Sequence, residues 1–168
     1  MIKNKQKAIN VGLASLLVIA IVGIWYGYSL ASTHSRQAEV AARGAQVMPF
    51  DLEETTHVFE KMDDGGLQRV TANEPSNTEQ IELIQAHLQE EADKFQRGDF
   101  SDPAQIHGHE MPGLADLRAG ASQIDIRYTA LPDGAQIRYT TSEPTLLSAI
   151  HHWFDAQLSD HGPHATDH

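Results

Sequence analysis

The sequence contains no cysteine, which excludes a disulfide framework, a thiolate nucleophile, iron–sulfur ligation and any Cys-based zinc site. Basic residues are scarce as well. Twelve Lys and Arg stand against 23 Asp and Glu, for a formal charge of −11. Phosphate backbones are held by clustered Lys and Arg, so no nucleic-acid partner is expected. At 168 residues the chain has room for one modest domain, short of the two-domain enzymes of about 300 residues that join two substrates at a cleft. It has no Gly-rich phosphate loop, no Gly-x-Ser-x-Gly elbow and no isolated carboxylate pair in an apolar setting. Nucleotide binding and the common hydrolytic sites therefore find no support.

Acidic residues are missing altogether before Glu39. Lys3, Lys5 and Lys7 precede an apolar run from Ala8 to about Leu30, in which Val11 to Tyr28 carries no charge and Trp25, Tyr26 and Tyr28 cluster at the far end. The pattern predicts an N-terminal transmembrane helix within residues 1–31, contacting the inner membrane through residues 8–30. The lysines would keep the N-terminus cytoplasmic in a single-pass protein and place the following domain in a bacterial periplasm. The alternative is a signal peptide cut near Ser29 and Ala31, which would release the domain into the periplasm. Residues 32–47 are Ala-rich and polar and read as a stalk. With the three lysines set apart, nine basic residues face 23 acidic ones, and the exported part carries about −14, a charge that favours solubility.

Residues 48–158 read as an α+β domain. Strand-like Thr56–Met62 and Leu67–Ala72 flank the turn Asp63-Asp64-Gly65-Gly66, and a second hairpin runs Ile124–Ala130, Leu131-Pro132-Asp133-Gly134, Gln136–Thr141. Ile81, Ile84, Leu88, Ala92 and Phe95 recur at helical spacing within Thr78–Arg97, as do Leu146, Ile150, Trp153, Phe154 and Leu158 within Thr145–Leu158. Phe100–Pro112 reads as irregular, followed by a short helix at Gly113–Ala119. The segment Asp64–Pro75 aligns without gaps on Asp133–Pro144, at an offset of 69 residues, with six of twelve positions identical. The expected fold is two β-β-α repeats, a four-stranded, largely antiparallel sheet with two main helices on one face. Residues 159–168 read as a polar, His-containing tail.

Ten histidines are the one excess with chemical meaning. Imidazole binds zinc, copper and nickel, and a thioether favours Cu(I). Ile106–Leu114 packs His107, His109, Glu110 and Met111 among glycines and a proline that let side chains converge. His87 and Glu91 are four apart on one helix, a spacing that suits two ligands to one metal or a surface pair. His57 sits in a strand beside Val58 and Phe59, as a ligand or as a packed, hydrogen-bonded residue. His151 falls at the edge of its helix stripe and His152 points away from it.

Four blocks carry a resemblance. They are Thr55-Thr56-His57-Val58-Phe59, Gly98–Ala104, Ile106-His107-Gly108 with Met111–Leu114, and Trp153–Gln157 with Asp160-His161-Gly162. In that order, over about residues 48 to 165, they resemble an uncharacterised family of small bacterial proteins, some of them labelled aspartate carbamoyltransferase. The Ser-Thr-Arg-Thr-Arg type of carbamoyl-phosphate loop has no match here. The resemblance implies no mechanism, but it places His57, His107, Met111 and His161 inside the shared blocks.

The expected function is a membrane-anchored periplasmic domain that binds copper or zinc for handling or sensing. His57, His87, His107, Met111 and His161 would be the ligands, with Glu91 as a further ligand or a support to one. The alternatives are a metal-free protein-interaction module, with a protein partner in a cell-envelope complex, and more remotely a carbamoyltransferase-like enzyme.

Overall fold

In a computed structural model that describes the backbone from Ile2 to His168 and the side chains from Val18 onward, polar and buried side chains alternate along the strands, the period of a sheet with one covered face. β1 (Thr55–Met62) buries His57 and Phe59, and β2 (Gly65–Ala72) buries Val70 and Ala72. β3 (Asp125–Leu131) buries Ile126, while β4 (Gly134–Thr140) buries Ala135, Ile137 and Tyr139. The sheet order is β3-β4-β2-β1-β5. The first four strands pair antiparallel, and the two-residue β5 (Ala165–Thr166) runs parallel to β1 at His57 and Val58. The open edge at β3 carries Asp125 and Arg127, charges that discourage a further strand from adding there.

Five α-helices accompany the sheet: α1 (Ile2–Val47), α2 (Thr78–Gln96), α3 (Ser101–His107), α4 (Leu114–Gly120) and α5 (Pro144–His161). Asn77 caps α2 by accepting from the backbone N–H of Gln80, and Pro144 opens α5 in the first turn, where its missing N–H costs nothing. Both lay an apolar stripe on the sheet. α2 packs on β3 and β4, whereas α5 packs on β1 and β2, so each hairpin is covered by the helix that follows the other one.

The offset of 69 residues reappears in the pairing. It carries Thr56↔Thr71 onto Asp125↔Thr140 and Met62↔Gly65 onto Leu131↔Gly134. The β2–β4 ladder is centred on Gln68↔Ile137, two residues that the offset equates, so a local two-fold axis passes through that pair. Two hydrogen bonds obey the same axis, Ala72 N–H to the Asp133 carbonyl at 2.9 Å and Thr141 N–H to the Asp64 carbonyl at 3.0 Å. Two glycines do so too. A Cβ on Gly65 would collide with the carbonyl of Tyr139, and one on Gly134 with that of Val70. The equivalence extends into the helices, where Ile81 matches Ile150, Ile84 matches Trp153, Leu88 matches Gln157 and Ala92 matches His161, all buried.

Several expectations are corrected. The sheet has five strands and is mixed, not four-stranded, because a two-residue strand leaves no periodic signal. Beyond the N-terminal helix, the two main helices and the short helix expected at Gly113–Ala119, the structure has one more, α3. α3 arises where Phe100–Pro112 read as irregular, since Pro103 is tolerated in a first turn. Among the described residues no helix is long and apolar enough to cross a membrane. The transmembrane anchor, and the single-pass inner-membrane placement with a periplasmic domain, are corrected on that finding. The start of the expected span, residues 8–17, lies outside the residues whose side chains are described. The chain divides into two compact units, Met1–Arg36 and Gln37–His168. Residues 37–47, read as part of a stalk, open the second unit and bury Val40 in its core. The tail is tied down too, with Asp160 and His161 buried and Ala165–Thr166 in the sheet.

Because backbone, not a flexible side chain, fills the space beside Gly134, Gly134→Ala is expected to destabilise the domain by about 1–3 kcal/mol. Thermal unfolding followed by circular dichroism checks it, and an unchanged Tm would contradict the close approach of β2 and β4.

Candidate functional site

One-turn spacing on two helices assembles the site. α2 presents His87 and Glu91, four residues apart, and α5 presents Trp153, Gln157 and His161 at the same interval, so each set shares one face. β1 adds His57 from the sheet, while α3 adds Asp102 near its start and His107 at its end. Together with Met48, Phe50, Phe59, Gln68 and Phe95 they line a cavity of about 40 Å³, room for roughly three water molecules.

Five of the six residues singled out from the sequence thus meet at one place, namely His57, His87, Glu91, His107 and His161. Met111 is buried but stands outside the cavity wall, and His109 is exposed. His151 is structural. Its Nε2 lies 3.0 Å from the Met62 carbonyl and 2.9 Å from that of Gly65, fastening α5 to the first hairpin turn. Sequence reading missed Gln157, Trp153, Gln68 and Asp102. For Gln157 the signal was present, a polar residue one turn after Trp153 in an otherwise apolar stripe.

The histidine rings pack as aromatic side chains. His57 and His161 have centroids 4.7 Å apart, and His107 meets His161 at 5.1 Å. Phe50 touches both His57 and His87, and Phe59 stacks on His161 with an interplanar angle of 20°. His107 Nδ1 lies 3.0 Å from the Asp160 carboxylate. Among the described residues no three His, Asp or Glu side chains are grouped so as to hold a metal ion. The expectation of a metal-binding site is corrected accordingly. The rings were brought together by burial against Phe50 and Phe59, and one of them is committed to Asp160.

Burial governs the protonation of the cavity. It drives His57 from 6.5 down to about 3, with His164, His107 and His87 adding repulsion. It lowers His87, aided by Lys94, and His161 falls well below its ordinary value from burial and from His57 and His107. Glu91 is pushed from 4.5 up to about 9, first by burial and then by its hydrogen bond with Asp102 and that residue's charge. Asp102 is held below the usual carboxylate range. Burial opposes this, but hydrogen bonds from Glu91 and Lys94 outweigh it. Lys94 Nζ sits 2.7 Å from Asp102 and 2.8 Å from Glu90, but 3.6 Å from Glu91 Oε1, too far for a hydrogen bond. Near neutral pH the imidazoles of His57, His87 and His161 and the carboxylic acid of Glu91 are therefore uncharged, and Asp102 carries the charge beside Lys94.

Among the described residues, four buried side-chain polar atoms have no hydrogen-bond partner, His57 Nε2, Glu91 Oε1, Trp153 Nε1 and Gln157 Oε1. All four residues line this cavity. Leaving such an atom unpaired costs about 1–3 kcal/mol, so their convergence is a cost that only a hydrogen-bonding occupant can offset. Scans against protein-family models, curated proteins and solved structures found no match to this chain.

The shifts fix the pH dependence of stability. The three histidines lose stability for the fold as pH drops through their unfolded value of 6.5 toward 3, because the unfolded chain then binds protons that the folded one refuses. Glu91 acts oppositely. Its contribution is full below 4.5 and is lost as pH rises toward 9. Each proton difference is worth about 1.4 kcal/mol per pH unit, so stability is expected to peak near pH 6.5. In Glu91→Gln the decline on the alkaline side should disappear. Chemical denaturation from pH 4 to 9 reads both limbs, and a variant that keeps the wild-type alkaline limb would exclude Glu91 as its source.

Proposed function

We propose that the chain is a ligand-binding domain whose buried cavity takes the uncharged, hydrogen-bonding head of a small organic molecule. The observation that carries this reading is the convergence of four unpartnered polar atoms on one enclosed space. Their chemistry defines a complement. Trp153 Nε1 only donates, Gln157 Oε1 only accepts, and His57 Nε2 does either according to its tautomer. Glu91, sharing its proton with Asp102, leaves Oε1 as a carbonyl-like acceptor. A ligand that meets this set offers one acceptor and two donors close together, as the carbonyl and NH₂ of a primary amide do. Among the described residues no Lys or Arg lines the cavity, which disfavours an anion, and burial together with the pairing of Asp102 with Lys94 at 2.7 Å disfavours a cation.

Acetamide is the simplest probe. Titrated into the full chain, it is expected to give a saturable shift of the Trp153 indole N–H resonance, and Gln157→Leu should weaken binding up to about tenfold by removing one hydrogen bond. No saturable shift, or an unchanged affinity in Gln157→Leu, would overturn the reading. So would tight binding of zinc or copper that is abolished in His57→Ala and His161→Ala.

A further inference from the structure

His161 belongs to two walls. It lines the small cavity, and it also lines a second, larger chamber of about 250 Å³ between residues 37–41 of α1, the Leu52–Glu54 turn and the C-terminal segment. Several polar groups around that outer chamber have partners of their own. Gln37 Nε2 donates to the Ser159 carbonyl at 3.0 Å, Asp160 meets His107 at 3.0 Å, and His164 lies 3.4 Å from Glu53. What the chamber leaves to an occupant is the apolar surface of Val40, Ala41, Leu52 and Pro163. The small cavity with its unpartnered polar atoms and the larger chamber, where apolar surface stands beside polar groups, meet at His161, an arrangement that can take the head and the tail of one amphiphilic molecule.

We infer that the two chambers form one site, and that its ligand is a primary aliphatic amide with its head in the inner cavity and a short alkyl tail in the outer one, past a displaced His161 side chain. The inference rests on the proposed binding of an uncharged head and adds the tail. His161 is well placed to move, because it ends α5 and the next residue, Gly162, turns the chain with φ +56°. Its outward swing widens the passage while the backbone of α5 stays in place. The apolar chamber explains selection for length. Each methylene buried there adds favourable transfer energy, whereas the inner cavity has no space for more than the head.

The experiment is a titration of the full chain with acetamide, butanamide and hexanamide, monitored at the Trp153 indole. Affinity is expected to rise about fourfold for each added methylene that is buried. Ala38→Trp and Ala41→Trp each place an indole at the mouth of the outer chamber, on helix positions exposed to solvent. Both should leave acetamide affinity unchanged and erase the gain with tail length, while circular dichroism shows the fold intact. Gln157→Leu should instead weaken the whole series by one common factor. If acetamide binds but affinity stays flat along the wild-type series, the two-chamber inference is overturned and the binding of a small head stands. If none of the amides binds, both readings fall. A length dependence that survives in both Trp variants would place the tail elsewhere and overturn the inference as well.

Discussion

Neither hairpin can bury its apolar face alone, and the antiparallel β2–β4 ladder that joins them sets the remaining distances in the domain. Gly65 and Gly134 let the two hairpins approach until carbonyls stand where side chains would otherwise be. With that separation fixed, α2 reaches over β3 and β4 while α5 reaches over β1 and β2. The helices then bring Glu91 and Gln157 to opposite sides of a single space. At the ladder's centre Tyr139 donates its hydroxyl proton to Gln68 Oε1 at 2.8 Å, which satisfies a polar pair beside the cavity without drawing on the groups that face into it.

The interior shows how a cost in stability is confined. Trp153 and Gln157 come from successive turns of one helix, and that rigidity keeps their polar atoms from swinging to nearby carbonyls for relief. Around them Phe50, Phe59, Phe95 and Ile106 keep bulk water from supplying the missing bonds. Glu91 stays uncharged because it is buried and because Asp102, next to it, holds the charge at the less buried end of the cluster, paired with Lys94. A charged acid at Glu91 would attract a cation. The uncharged one presents only hydrogen-bonding geometry.

Much of this was legible in the residues, for reasons that differ by element. The hairpins announce themselves through alternation and through Asp-Gly turns, and α2 and α5 through their apolar stripes. The coming together of His57, His87, Glu91, His107 and His161 was foreshadowed only as a set of candidates. Their partner chemistry was misread, because spacing along a chain cannot show that Phe50 would touch both His57 and His87 or that Phe59 would stack on His161. β5 escaped notice since two residues have no period, and α3 since seven residues around a proline read as a loop. The anchor expectation rested on the apolar composition from Ala8 to about Leu30, and among the described residues no helix is long and apolar enough to cross a membrane. Gln157 was visible as an exception inside a stripe, and exceptions of that kind are where a core has been adapted to a task.

The internal two-fold axis has a consequence for how such a cavity arises. The first repeat carries His57 where the second has Ile126, and the second carries Gln157 and His161 where the first has Leu88 and Ala92. Each copy of the repeated architecture thus gives the cavity polar groups at positions where its twin keeps an oily residue. Cohesion and chemistry are shared out position by position within a single chain, so each copy serves as an internal blueprint for the apolar residue that a purely structural version of the other would carry.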